Sequence, residues 1–135
     1  MALRVIPHIH RATHRIGLSI GELEDVPVTQ GEAHVLAHLA EVGEATIADV
    51  HRAFGHKRST LTSILDRLEG RGLVVRRSDP RDRRTFVIAP TATGRAAAAR
   101  VGAHLEALEA ARLRGVPAAD LRTFLKVLAR FETAG

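Results

Sequence analysis

The fold is decided by the stretch from His56 to Ile88, which reads HKRSTLTSILDRLEGRGLVVRRSDPRDRRTFVI. Its first half has the spacing of an amphipathic helix, because the apolar residues recur every three or four positions and form one stripe: Leu61, Ile64, Leu65 and Leu68. Gly72 follows this helix and suits the left-handed conformation that ends many helices. An apolar run, a turn at Asp79-Pro80 and a second run from Thr85 to Ile88 then indicate a β-hairpin. A helix followed by such a hairpin predicts a winged helix.

The polar face of the predicted helix carries cationic and hydroxyl side chains. These are the types that contact phosphates and base edges in the major groove of DNA. We therefore expect a recognition helix over residues 57–71, with DNA contacts from Lys57, Arg58, Ser59, Thr60, Thr62, Ser63 and Arg67. The wing, residues 79–84, adds three further candidates, Arg81, Arg83 and Arg84. The alternative is an ordinary amphipathic helix beside a solvated charged turn, but cations on two adjacent surfaces favour DNA.

Composition limits the possible partners. The chain has 135 residues, which suits one domain or one domain with a dimerisation extension, and its formal net charge of +5 favours an anionic partner such as nucleic acid. There is no cysteine, which excludes disulfides, thiolate metal sites and a thiol redox switch in this chain. No apolar run approaches the ~20 residues of a membrane span, so we expect a cytoplasmic protein without a membrane partner.

The flanking segments predict further helices. Thr29-Gln-Gly-Glu32 and Thr46-Ile-Ala-Asp49 are capping-box patterns that begin two helices, and the second of these joins the recognition helix through a short turn. A long helix is expected from Pro90-Thr91 to about Leu113, and an apolar pattern predicts that the last helix buries Leu121, Phe124, Leu125, Leu128 and Phe131. The predicted fold is mainly α with a small β-hairpin wing.

The first helix pattern, from Ile6 to Leu23, alternates apolar spacings of three and four, as in a seam for another helix. Packing against its own domain is one interpretation. Dimerisation is favoured, because the helix precedes the compact DNA-binding region and needs a partner outside it. We therefore predict a winged helix-turn-helix domain over 28–90 and a helical dimerisation region over 1–27 and 91–135, with interface residues Ile6, Ile9, Ile16, Ile20, Leu121, Phe124 and Leu128.

The residues from Thr29 to Arg95 resemble the MarR (multiple antibiotic resistance regulator) family of winged-helix transcription regulators. The resemblance rests on STLTSILDRLEGRGLVVR from Ser59, on DPRDRR from Asp79 and on PTATGR from Pro90. Asp82 and Arg84 match the family's Asp-x-Arg wing signature. Thr91 and Gly94 match its Leu-Thr-x-x-Gly signature, with Pro90 in place of Leu.

The resemblance implies an obligate homodimer with interlocked first and last helices, which places two winged helices on a palindromic site in double-stranded DNA. It also implies repression or activation that is released by a small ligand or by oxidation, and the absence of cysteine argues against oxidation. We therefore expect a ligand-responsive repressor. The family role of the wing pair is also physically reasonable: Arg84 would enter the minor groove, and the Asp82 carboxylate would fix its direction.

Five histidines are candidates for an effector pocket among the first, second and fifth helices: His10, His14, His34, His38 and His104. The first four form two pairs at a spacing of four, which can hold a metal, so a metal- or pH-responsive regulator is an alternative. Plain surface or interface residues are the simpler interpretation, and we predict no metal or other cofactor. A winged-helix module that binds protein instead of DNA is a further alternative. No HExxH, GxSxG or paired-carboxylate pattern occurs, so we do not expect an enzyme.

Overall fold

A computed structural model describes residues 2–133 of the chain. In chain order its elements are α1 (Ile6–Ile20), α2 (Gln30–Val42), β1 (Ala45–Thr46), α3 (Ile47–Phe54), α4 (Arg58–Gly70), β2 (Val74–Asp79), β3 (Asp82–Pro90), α5 (Ala92–Arg112) and α6 (Ala118–Glu132). The predicted mainly helical fold with a small β wing is confirmed. The chain divides into two compact units between Leu105 and Glu106.

Both predicted capping boxes are present. In the first, the Thr29 hydroxyl accepts a hydrogen bond from the Glu32 N–H at 3.3 Å, and the Glu32 carboxylate accepts one from the Thr29 N–H at 3.1 Å. Thr46 and Asp49 form the same reciprocal pair at the start of α3. Each cap satisfies backbone donors that the helix cannot pair and contributes about 1 kcal/mol, which explains why these starts could be predicted from sequence.

The apolar stripe of α4 packs into the core, as predicted. Leu61, Ile64, Leu65 and Leu68 are each at most 3% exposed. They share one core cluster with α2 residues such as Leu36 and with Ile88 of the sheet. Full burial of a leucine contributes roughly 1.5–3 kcal/mol, so this stripe fixes which face of α4 points to solvent.

The sheet has three strands in the order β1-β3-β2. The sequence predicted the β2–β3 hairpin but missed β1, whose two residues pair with Val87 and Ile88 and are too few to show a pattern. The prediction also started the second wing strand too late, because β3 begins at Asp82 and not at Thr85. Arg83 and Arg84 therefore lie on a strand, and only Pro80 and Arg81 form the turn.

The start of α5 explains the Thr91–Gly94 signature. The Thr91 hydroxyl donates to the Gly72 carbonyl at 2.6 Å and accepts from the Gly94 N–H at 3.0 Å. A Cβ atom on Gly94 would lie 1.8 Å from the backbone carbonyl oxygen of Leu73, so the two backbones approach as closely as a glycine allows. The helix starts at Ala92 and not at Pro90, which is the last paired residue of β3.

The connection between α1 and α2 is attached to α5 by an ion pair. Arg100 donates to Asp25 through Nε at 2.8 Å and through a terminal guanidinium nitrogen at 3.1 Å. Both side chains are more than half exposed, so the pair is screened by salt.

The predicted dimerisation residues divide into two groups. Ile20 is fully buried in the core of its own chain, and Ile16 packs against that core, so this end of α1 serves internal packing. Ile6 and Phe124 remain exposed, whereas Ile9, Leu121 and Leu128 are half-buried. The expectation that α6 buries its apolar stripe was wrong for the single chain, because no residue of α6 is buried.

None of the described helices is both long and apolar enough to cross a membrane.

We predict that Gly94→Ala lowers the free energy of unfolding by roughly 1–3 kcal/mol, because the new methyl group meets a backbone carbonyl that is held in the sheet-to-helix junction. Urea unfolding measures the loss. Gly102→Ala is the matched control on the same helix, since a Cβ there meets nothing within 4 Å. The control should gain up to ~1 kcal/mol from helix propensity. Equal effects of the two substitutions would contradict the proposed close contact.

Candidate nucleic-acid interface

The start of α4 presents the predicted recognition face to solvent. All seven predicted contact residues are exposed, and six of them have no internal side-chain hydrogen-bond partner among the described residues: Lys57, Arg58, Ser59, Thr60, Thr62 and Ser63. Lys57 occupies the N-cap position, and its side chain makes no capping hydrogen bond. The first N–H groups of the helix, together with these cations, form a surface suited to phosphate.

Arg67, the seventh predicted contact, has an intramolecular partner instead. Its Nε donates to the Glu32 carboxylate at 2.9 Å, and Glu32 is fully buried. Arg71, one turn further along the chain, donates to the same carboxylate at 3.1 Å and to the Pro27 carbonyl at 2.8 Å. Sequence reasoning assigned Arg67 to DNA from its position on the polar face. It missed Glu32, whose local role as a capping residue gave no sign of this second set of partners.

The ionisation of Glu32 depends on these partners. Burial raises the pKa of the Glu32 carboxyl, but the hydrogen bond from the Thr29 N–H and those from Arg67 and Arg71 outweigh it, so that its pKa lies below the ordinary value. The carboxylate is therefore charged at neutral pH although no water reaches it.

The wing pair Asp82 and Arg84 is in direct contact. The Asp82 carboxylate accepts from the Arg84 N–H at 3.0 Å, from its Nε at 3.1 Å and from a terminal guanidinium nitrogen at 3.3 Å. These bonds lower the pKa of Asp82. The Arg84 side chain is nevertheless 89% exposed. Its direction is fixed while its charge remains accessible.

A second aspartate, which the sequence analysis placed in the turn without a role for its side chain, shapes the tip. Asp79 is buried, and its carboxylate accepts from the Arg81 N–H at 2.9 Å and from the Thr85 hydroxyl at 3.3 Å. The bond from the Arg81 N–H, followed by those from side chains, lowers its pKa despite burial. The strand register shifts between Ser78 and Asp79. The Asp-Pro-Arg pattern, a common turn initiator, was the available signal. Arg83 is exposed on β3.

Two further arginines brace the base of the wing. Arg77 pairs with Glu44 at 2.7 Å, and Arg76 pairs with Asp66 of α4 at 3.1 Å. These pairs connect β2 to its neighbours and partly neutralise its positive charge. Among the described residues, Lys57 and Arg58 at the start of α4 and Arg83 of the wing have no ion-pair partner.

The five candidate histidines do not gather in one place. His10 and His14 are exposed on α1, while His38 meets the ring of Phe54 edge-on at 5.3 Å. The Nε2 atom of His104 hydrogen-bonds the Ser19 hydroxyl at 2.5 Å. Within residues 2–133 no group of three potential ligands is placed to hold a metal ion.

A cavity of about 420 Å³ that is wide open to solvent lies beside α1 and α2. It is lined by Thr13, Gln30, Gly31, His34, Phe54 and His56. His34 is the one member of the predicted set among these residues, and the third side comes from the α3–α4 connection and not from α5. Burial, followed by the neighbouring charge of His56, lowers the pKa of His34. Phe54 and His56 stack with ring centres 5.8 Å apart.

The resemblance to the MarR family is confirmed by comparison with known proteins. Residues 24–85 match the family model described as the MarR family. The HTH-type transcriptional regulator YcgE of Bacillus subtilis (strain 168), described as uncharacterized, is 40% identical over 52 residues. That match spans 38% of this chain and about a third of the relative, 34%.

Solved structures share the fold along nearly the whole chain. The S. aureus MepR–DNA complex has a TM-score of 0.85 at 19% identity, with 96% of this chain and 97% of that chain covered. Bordetella bronchiseptica BpsR, solved in work on the regulation of its DNA binding by 6-hydroxynicotinic acid, has a TM-score of 0.82 at 24% identity and coverages of 98% and 95%. At these identities the likeness shows the winged-helix fold.

We predict a pH-dependent stability that His34 causes. Because its pKa in the folded chain lies below the ordinary 6.5, the unfolded chain binds more protons just below that pH. The free energy of unfolding should therefore be highest above pH 6.5 and should fall between about pH 6.5 and 5. Urea unfolding at several pH values measures it. His34→Gln should flatten this slope, whereas the exposed His10→Gln should leave it unchanged; a wild-type slope in the His34 variant would contradict the assignment.

Proposed function

We propose that this chain is a member of the MarR family and a homodimeric, sequence-specific regulator of transcription, acting as a ligand-responsive repressor. It reads a palindromic operator in double-stranded DNA through residues 57–71 and through the wing at 79–84. The observation that carries the proposal is the exposed cationic and hydroxyl face of α4 beside Arg84, whose direction Asp82 fixes.

The two parts of this surface have different tasks. The side chains of α4 from Lys57 to Ser63 meet phosphates and base edges in the major groove, where hydroxyl and cationic groups can distinguish bases. The wing reaches the adjacent minor groove, whose negative potential attracts the exposed guanidinium of Arg84. Arg81 and Arg83 contribute phosphate contacts without reading sequence.

Dimerisation is proposed for the helices outside the winged helix, in residues 1–27 and 91–135. Large apolar side chains are exposed there, such as Leu3, Ile6, Phe124 and Phe131, and each is at least half exposed. Exposed apolar surface of this kind marks an interaction site. Two-fold symmetry then gives an inverted repeat with half-site centres one helical turn apart, ~10 base pairs or ~34 Å.

The effector of the proposed repressor is a small molecule. The DNA binding of the similar Bordetella protein is regulated by 6-hydroxynicotinic acid, and the cavity beside α1 and α2 gives this chain a place of suitable size. A ligand there favours one distance between the two winged helices of the dimer. Operator affinity falls when that distance no longer matches the spacing of the half-sites.

The proposal is tested with DNA from upstream of the gene itself. Fluorescence anisotropy against this DNA and against a shuffled duplex of equal length should show a clear preference for the first, with an affinity that falls steeply as salt rises. Equal affinity for the two duplexes would refute sequence-specific binding and favour a module that binds another partner.

We predict that Arg84→Ala weakens operator binding about tenfold or more, a loss of ~1.4 kcal/mol, while fold and dimer persist. Asp82→Ala should also weaken binding, although it makes the wing more positive, because the Arg84 side chain loses its fixed direction. Arg81→Ala is the matched control for loss of one wing cation, and it should cost less than Arg84→Ala. Titrations at two salt concentrations separate the variants, and tighter binding by Asp82→Ala would exclude the orienting role.

We predict that Phe124→Asp converts the dimer to monomers, because a carboxylate would have to be buried in an apolar interface without a partner. Light scattering after size-exclusion chromatography gives the mass. Lys126→Asp, on the same helix, reverses an exposed charge and should leave the dimer intact. A dimeric Phe124→Asp protein would show that the interface lies elsewhere.

A further inference from the structure

We infer that Glu32 is a positioning residue for DNA recognition, and that the first turn of α2 holds α4 at a fixed rotation relative to α1. The inference rests on the proposed function, since it concerns how the DNA-reading face is aimed. In it Arg67 acts on DNA through Glu32 and not by direct contact.

The first step is that both oxygens of the Glu32 carboxylate accept two hydrogen bonds each. One oxygen accepts from Arg67 Nε at 2.9 Å and from Arg71 at 3.3 Å. The other accepts from the Thr29 N–H at 3.1 Å and from Arg71 at 3.1 Å. A buried charge without such partners costs several kcal/mol, so α2 and α4 cannot slide or rotate past each other without that loss.

The second step is the position of the two arginines, since Arg67 lies in the last turns of α4 and Arg71 is the residue that caps its end. Arg67 and Arg71 are one helical turn apart, and Arg67 follows Thr60 and Ser63 along one row of the helix surface. A carboxylate that contacts two successive turns fixes both the rotation and the axial position of α4. The direction in which Thr60 and Ser63 point is therefore set by a group on another helix.

The third step concerns the neighbours of Glu32 on α2. The side chain of Gln30 donates to the Thr13 carbonyl of α1 at 3.1 Å. It fits there because Gly17 has no side chain, since a Cβ on Gly17 would lie 2.5 Å from the Gln30 amide oxygen. Gly31 lies against the Ile64 side chain of α4. Three consecutive residues of α2 thus contact α1 or α4. The orientation of α1, proposed here as a dimer helix, therefore influences the direction in which the exposed polar face of α4 points.

An explanation by charge alone predicts the opposite change in operator affinity. If Glu32 affected DNA binding only through its negative charge, Glu32→Gln would add one net positive charge and strengthen binding to all DNA. Positioning predicts that Glu32→Gln lowers operator affinity about tenfold, while affinity for shuffled DNA stays equal or rises. The ratio of the two affinities, and not either affinity alone, therefore identifies a positioning role.

The experiment uses the full chain and the two duplexes described above, at a temperature where urea unfolding shows each variant to be folded. Glu41→Gln is the matched control, because it removes the same charge from an exposed residue of the same helix, one that has no ion-pair partner among the described residues. It should keep the wild-type ratio. A Glu32→Gln protein with the wild-type ratio would overturn the inference, whereas a wild-type protein with no preference would overturn the proposed function instead.

A second variant covers the case in which Glu32→Gln does not fold. Arg67→Lys keeps the positive charge but loses the Nε donor that reaches Glu32. A direct phosphate contact would survive this change with little loss of affinity or of salt dependence. Positioning predicts a ratio reduced at least fivefold, and an unchanged ratio in Arg67→Lys would overturn the inference.

Discussion

The burial of one carboxylate organises the contact between α2 and α4 in this protein. Glu32 is inaccessible to water, so its charge persists only while Arg67, Arg71 and the Thr29 N–H supply donors to its two oxygens. The same residue completes the cap of its own helix. Helix initiation, interhelical packing and the aim of the proposed reading face therefore depend on a single side chain, and none of them can change without affecting the others.

Local signals accounted for most of what the sequence predicted. The caps at Thr29 and Thr46 and the apolar stripe of α4 depend on residues within one or two turns, so their chemistry is visible in a short window. The partner of Arg67 lies 35 positions away, and strand β1 has two residues. Such features arise from tertiary packing, which periodicity does not report. The wing register was missed because Asp79 and Asp82 pin backbone groups at the tip.

The sequence predicted which residue types are exposed at the candidate site more accurately than it predicted which side chains lie together. Exposed Lys, Arg, Ser and Thr at the start of α4 lie where the pattern placed them, because the buried stripe dictates the opposite face. The histidines did not converge, since spacing within a helix fixes a shared face but not what another helix brings to it. Phe54, at the end of α3, and His56, in the connection that follows, line the cavity, and only the folded chain defines the path of that connection.

The two connections of the winged helix, before α2 and after β3, differ in how they respond to dissolved ions. On the exit side, Gly94 lies against the Leu73 carbonyl without a side chain between them, a steric contact that ions do not weaken. On the entry side, Asp25 is tied to Arg100 by an exposed ion pair, which dissolved ions screen. Higher ionic strength therefore weakens the Asp25–Arg100 attachment at the entry and leaves the packing of Gly94 against Leu73 at the exit unchanged.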